Sequence, residues 1–406
     1  RRSSDLGDIS EQMELPLFGR GVNMRFADNN NNKSITFGAI DQNYNLLSSQ
    51  PSFNNYYSFY AEGEIGENNY DKGAKASYLY QRNPYEEAGY HVGGLQWRAK
   101  LAKDWDIDMS VHGTIGSYDK IEGEKYSGAA EISYRGMISD KVMLNGSGYY
   151  SDPYFPGSRK GTKNFTQAVS LNINNDMNIN GSIGYNKTEP RSYSYSYNYQ
   201  SENSNASLNL SLPKINKISS SLYYRHQGES SSAYTQITGG SGNSELQKMN
   251  SNRIGWQWRW QDRRMKHSIY GIIEGGFFND PFSEDNKCQA KTSLNYSYDW
   301  FNMDVSYQKG AYYLYEHIMG SQQNLDFYRF TVSATVNKTF SKTLQLTSGI
   351  NFTRDVYQGN VPSVNFNLNW RPKDKIALFM NSYWYRYAFI NRENIFNVQE
   401  IGRAHV

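Results

Sequence analysis

Residues 294–308 read LNYSYDWFNMDVSYQ, and the spacing of their bulky side chains decides the fold. Leu294, Tyr296, Tyr298 and Trp300 occupy every second position, with Asn295, Ser297 and Asp299 between them. After a turn read at Phe301 and Asn302, Met303, Val305 and Tyr307 continue the apolar set against Asp304, Ser306 and Gln308. A period of two sends the sets to opposite faces of a strand, and so short a turn makes the two strands a hairpin.

The same code recurs outward from this hairpin. Val332, Ala334 and Val336 alternate with Ser333, Thr335 and Asn337, and Leu344, Leu346, Ile350 and Phe352 with Gln345, Thr347 and Asn351. Val364, Phe366, Leu368 and Trp370 alternate with Asn365, Asn367 and Asn369. Asparagine is a poor strand former, so a whole face of Asn, Ser, Thr and Gln needs water beside it while the other face is apolar. A membrane-spanning barrel with a wet lumen supplies both surroundings. The mean hydropathy is −0.78, and no run approaches the roughly 18 apolar residues of a membrane helix. A barrel shows lipid only alternate residues, so a polar average is compatible with one continuously apolar face.

The chain holds 35 Tyr and 8 Trp, and amphipathic rings collect where bilayer meets water. Trp105, Trp260, Trp300, Phe340 and Trp370 sit beside short turns. Tyr149 and Tyr150, Tyr312, Tyr313 and Tyr315, and Tyr383, Trp384, Tyr385 and Tyr387 lie toward the opposite ends. Two interface belts are predicted, with Tyr150, Tyr313 and Trp384 in the second. From about Gly21 the alternation gives about 20 strands. Short connections, among them 103–104, 139–141, 174–176 and 341–342, alternate with long ones such as 45–55, 151–163, 228–250 and 316–324. That is the short-periplasmic, long-extracellular asymmetry of outer-membrane barrels. The segment 395–399 begins a further strand, so the expected fold is all-β, a large antiparallel up-and-down transmembrane barrel truncated before closure. Barrels of this size enclose a channel or hold a plug.

Residues 1–6, RRSSDL, and 401–406, IGRAHV, are what two common short-read sequencing adapters encode when read through. The expectation is therefore a metagenomic fragment, with a lead-in at 7–20 and an incomplete barrel at 21–400. Without Arg1, Arg2, Arg403 and Asp5 the formal charge of +3 falls by two to +1. Neither value points to nucleic acid as a partner. Cys288 is alone, which gives no disulfide framework and no CxxC-type metal cluster.

With apolar positions toward lipid, Arg98 and Lys100 face inward on one strand and Asp106 and Asp108 on the next. A hairpin about Lys103 sets Lys100 opposite Asp106 and Arg98 opposite Asp108, a cross-strand charge ladder. Glu131, Arg135, Arg259, Asp299 and Asp304 complete a lumen-facing set of mixed sign. The segment SDPYFPGSRKG (151–161) mixes aromatics and bases in a way that suits sugar or lipopolysaccharide phosphate. His112, His226 and His267 sit in no nucleophile motif, and there is no phosphate loop, zinc motif or dinucleotide fingerprint. The chain is accordingly read as no enzyme, with no cofactor and no metal.

On alternation, turn parity and aromatic belts over 21–399, the chain resembles Gram-negative outer-membrane β-barrel proteins of the large transport or secretion type. Its lead-in Leu15, Pro16, Leu17, Phe18, Gly19, Arg20 and Gly21 is loosely similar to that of fimbrial ushers, without their inserted plug domain. The resemblance implies outer-membrane lipid and lipopolysaccharide as partners, and a secreted protein or a small solute as cargo. It leaves two other readings: a surface barrel that binds through Tyr-, Asn- and Ser-rich loops, and a TonB-dependent-type receptor whose plug lies upstream.

Overall fold

The computed structural model describes residues 7–8, 16–17, 20–28, 32–42, 56–66, 72–83, 86–102, 105–174, 176–189, 200–232, 247–279, 286–321, 326–357, 359–373, 376–386 and 394–404. Strands β1 (Gly7–Asp8) and β2 (Pro16–Leu17) pair with each other. The barrel begins with β3 (Arg20–Ala27), β4 (Lys33–Asp41), β5 (Tyr57–Gly66), β6 (Gly73–Asn83), β7 (Ala88–Ala102), β8 (Trp105–Tyr118) and β9 (Ile121–Ser139). It continues through β10 (Val142–Ser151), β11 (Thr162–Asn174), β12 (Met177–Thr188), β13 (Ser201–Ile215), β14 (Ile218–Ser231), β15 (Gln247–Gln261) and β16 (His267–Asn279). After β17 (Asn286–Tyr298) and β18 (Phe301–Lys309) comes a short helix, α1 (Leu314–Ser321). The last strands are β19 (Tyr328–Ser341), β20 (Leu344–Asp355), β21 (Gly359–Lys373), β22 (Ile376–Arg386) and β23 (Asn394–Ala404).

Successive strands from β3 to β23 pair antiparallel, and β23 lies beside β3, so the sheet closes as a barrel of 21 strands. The all-β up-and-down barrel read from the sequence is the observed fold. Its predicted truncation before closure is corrected: the segment after Asn394 forms a full strand rather than the start of one. That strand takes in Ile401–Ala404, which pair in register with Phe379 to Ile376 of β22. Because direction alternates strictly, β3 and β23 run the same way across the seam.

The sequence also misplaced one turn. Tyr298 pairs with Phe301, so the loop is Asp299–Trp300, with Asp299 at a φ of 40°. Asp and Asn tolerate the left-handed region that two-residue hairpins need, and Asn216 at 54° does the same between β13 and β14.

On β8 the two faces separate cleanly. Ser110, His112 and Thr114 are buried on the inner side, while Val111 is 58% exposed on the outer. Val22 at 71%, Leu95 at 68% and Ile254 at 67% exposure extend that apolar outer surface around the wall. A water-soluble protein would bury this set, and a bilayer is the medium that covers it.

Both rims of the outer band carry rings. At the short-turn end His267 stacks on Tyr298 at 4.4 Å, Trp300 meets Tyr298 and Phe301 edge-on, and the Lys338 ammonium lies 4.9 Å from the Trp300 ring and 5.4 Å from that of Phe340. Trp105, Trp260 and Trp370 hold outward register positions at the same end. At the long-connection end Tyr57, Phe59, Tyr80 and His91 form a second cluster. Tyr150 and Trp384 are outward there, opposite Lys163 and Val364. A closed barrel satisfies every strand's backbone within the bilayer, and with these belts the protein is an outer-membrane barrel.

Candidate functional site

The inner wall is polar and divides into two regions. Near the short turns, Arg98 pairs with Asp108 at 2.7 Å, and Gln96 donates to the same carboxylate at 3.3 Å. Lys100 lies opposite Asp106, whose other neighbour in register is Arg135. Arg98, Lys100, Asp106, Asp108 and Arg135, with Ser133, Ser147 and Ser182, line a cavity of about 630 Å³. Asp304 faces inward between Asn295 and Ser333, and Arg259 between Ser219 and Tyr270. Asp299 belongs to no wall, because it lies in the turn.

Toward the long connections two segments fold into the barrel. The first is 152–161. Phe155, fully buried, packs into a cluster of Leu79, Ala88, Tyr90, Val92, Tyr118 and Ala129 on the inner faces of β6 to β9. Its bases turn inward: Arg159 pairs with Glu131 at 3.1 Å and lies 3.7 Å over the Tyr149 ring, and Lys160 pairs with Glu86. The expectation that this segment presents its bases to an external phosphate is corrected, because Glu131 of the wall and Glu86 of the β6–β7 turn hold them. Tyr149 likewise faces inward and leaves the belt.

The second comprises 310–321 with 326–327. Gly310, at a φ of +80°, turns the chain inward, and its N–H donates to the Phe327 carbonyl at 2.8 Å, closing the segment on itself. Ala311, Leu314 and Ile318 pack on Met249 and Phe278 of β15 and β16. Glu229 accepts from the Leu314 N–H at 2.7 Å at the start of α1. Glu316, 1% exposed, accepts from the Tyr312 N–H and from Gln308 and pairs with Arg329 at 3.3 Å. Arg329 in turn reaches Asp355 at 3.6 Å. Tyr313, expected in the membrane belt, stacks on Tyr315 in this segment and faces the lumen side. Tyr387 lies outside the described residues.

A second cavity, about 510 Å³, opens between this segment and β13 to β17, lined by Tyr223, Arg225, Arg253, Glu274, Lys291 and Tyr312 among others. Burial first, then the negative charge of Glu274, pushes the Tyr312 hydroxyl well above the usual tyrosine range. That phenol therefore stays a donor at neutral pH. Of these residues the sequence had singled out only Tyr312, and that as a belt ring rather than a lining group. One signal was there to find: Leu314 and Ile318 stand four apart, a helical period inside a chain otherwise spaced by two.

The three histidines considered for catalysis do not meet. His112 is buried on the inner wall, whereas His226, bonded to Asn252 at 2.9 Å, and His267, bonded to Tyr296 at 2.9 Å, face outward. Among the described residues no three His, Cys, Asp or Glu side chains are grouped to hold a metal ion.

No protein-family model matches the chain, and no curated protein matches it. Solved structures do. The copper transporter OprC is similar over 88% of this chain and 73% of its own, at 10% identity and a TM-score of 0.47. BauA, the ferric preacinetobactin receptor from Acinetobacter baumannii, is similar over 89% and 77%, at 10% identity and a TM-score of 0.41. For the RagAB peptide transporter the figures are 86%, 52%, 7% and 0.36, so this chain spans about half the length of that one. At these identities and scores the likeness goes no further than barrel shape.

Proposed function

We propose that this barrel is a transport channel for polar small solutes, its outer mouth narrowed by the two inward-folded segments. One observation carries the reading: 311–318 is seated on the inner wall of β15 and β16 by apolar contacts and by ion pairs, so it lines the path through the barrel. The lining is of mixed sign, which suits solutes that carry hydroxyls and both charges better than a strongly ion-selective pore. Outside, the apolar band supports lipid as its cover, and a base beside a belt ring, Lys163 at 5.8 Å from Tyr150, supports lipopolysaccharide phosphate as a partner at the long-connection rim.

The strand count favours a second reading. Barrels near 22 strands are usually plugged, so a receptor whose plug is supplied elsewhere in the protein fits the same wall. The usher form has less support, because the longest connection between β3 and β10, 42–56, is too short for a folded domain. Single-channel recording in planar bilayers separates the readings. Large steady conductance supports the channel, a bilayer-inserted but silent barrel supports the receptor, and failure to insert overturns both.

A further inference from the structure

The cavity beneath 310–327 holds more positive charge than its own acids answer. Arg225 and Arg253 are direct cross-strand partners on the inner face, and Lys291 stands two strands beyond Arg253. Like charges directly opposite each other are destabilising unless something neutralises them. Two carboxylates stand against these three cations: Glu229 accepts from the Leu314 N–H and from Gln227, and buried Glu274 lies 4.0 Å from Arg253 and opposite Lys291 in register. Among the described residues neither Arg225 nor Lys291 has an ion-pair partner. Each cation instead approaches a ring: Arg225 at 4.4 Å from Tyr223, Arg253 at 4.8 Å and Lys291 at 5.9 Å from Tyr312. Arg253 is 8% exposed, its Nη2 donates to Gln227 at 2.5 Å and its Nη1 lies 4.0 Å from Glu274, which leaves Arg225 and Lys291 as the cations an added acceptor would answer.

Taking the wall as the lining of a solute path, we propose that this cavity is a binding subsite for an acidic sugar, with Arg225 and Lys291 taking its carboxylate. The remaining lining supplies the other contacts. Tyr313, 48% exposed, offers a ring face on which a sugar's apolar face stacks, and Asn203, Asn205 and Ser207 offer amides and a hydroxyl to its hydroxyl groups. The volume lies within the roughly 300–1,000 Å³ of small-ligand sites. Guanidinium groups meet a planar carboxylate in a matched fork, which an ordinary halide ion does not exploit.

The test is calorimetry on the detergent-solubilised, folded full chain with trigalacturonate, and with its fully methyl-esterified form as a neutral probe of the same shape. The acid should bind at least tenfold more tightly than the ester. Arg225→Gln and Lys291→Gln should each weaken the acid about tenfold, which is about 1.4 kcal/mol, and leave the ester unchanged. Equal binding of acid and ester, binding of neither, or undiminished binding by the double variant would each overturn the subsite. Planar-bilayer conductance on the same preparation keeps the two proposals apart. Binding without conductance retains the subsite and removes the channel, and conductance without binding does the reverse.

Discussion

The two inward-folded segments reach the same mouth of the barrel but are held there by different physics. Segment 152–161 is fixed by one aromatic in an apolar cluster, with its bases paired to the wall as secondary ties. Segment 310–327 has a smaller apolar seat, and a buried carboxylate joins it to two strands through Arg329. Hydrophobic seating is non-directional and insensitive to proton activity, whereas a buried charge network depends on every partner being present. The first segment is therefore part of the wall, and the second is the element whose position chemistry can change.

The largest break in this comparison is Phe155→Ala. Emptying a fully buried phenylalanine site costs about 3–5 kcal/mol, and the loss should be local because the strands beneath keep their ladders. Trypsin should then cut at Arg159 and Lys160 in the folded variant, while amide hydrogen exchange across 311–318 stays unchanged. Equal release of both segments would show that they act as one unit. Next is Glu316→Gln, which keeps the side chain's shape but removes its charge. Arg329 retains Asp355, so the expected cost is about 2 kcal/mol. It should be read as faster amide hydrogen exchange across 311–318, with no change at 152–161.

The alkaline limb sharpens the difference further. The Tyr357 hydroxyl donates to the Glu316 carbonyl at 2.8 Å. Burial, then the charges of Glu316 and Asp355, pushes it up to about 12. A released tyrosine ionises near 10, so between about 10 and about 12 the unseated state binds fewer protons than the seated one. The seat's contribution from this group is thus complete below pH 10 and lost as pH rises through 12. Protection at 311–318, taken relative to the base-catalysed intrinsic exchange rate at each pH, should fall further over that window in the native chain than in Tyr357→Phe. Titration of this tyrosine at the ordinary value would sink the assignment.

How much of this could be read in the chain follows from the range of each interaction. Alternation is a backbone property repeated locally, so the strands and the barrel were legible from stretches such as 344–352 and 364–370. Turn placement depends on which residue accepts a left-handed φ, and Asp299 moved the hairpin loop by two positions. The inward segments were not legible, because period two stops at Gly310 and Ser151 and nothing local says whether the chain then turns toward water or into the lumen. Phe155, flanked by Pro153 and Pro156, reads as an exposed turn until Leu79 and Val92 are known to stand beneath it. The network of Glu316, Arg329 and Asp355 joins three elements, and only the strand register brings it together. Arg225, Arg253 and Lys291 likewise become neighbours only when β14 to β17 are laid side by side.

The smallest expected effect tests the lower wall, where no segment folds in. Arg98 and Asp108 face each other in register and pair at 2.7 Å, but the arginine side chain is 42% exposed. Water in the lumen screens such a pair, and holding a long side chain in one rotamer costs entropy, so exposed pairs are worth about 0.2–1 kcal/mol. Gln96 shares the Asp108 carboxylate and can take over part of the contact when Arg98 is removed. A double-mutant cycle of Arg98→Ala and Asp108→Ala, read by urea unfolding in lipid vesicles, should give a coupling near 0.5 kcal/mol that shrinks with added salt. A coupling of several kcal/mol would mean that water does not reach this part of the wall. The lumen would then be closed at the short-turn end as well, and the contrast between a fixed wall and a movable segment would no longer be confined to the outer mouth.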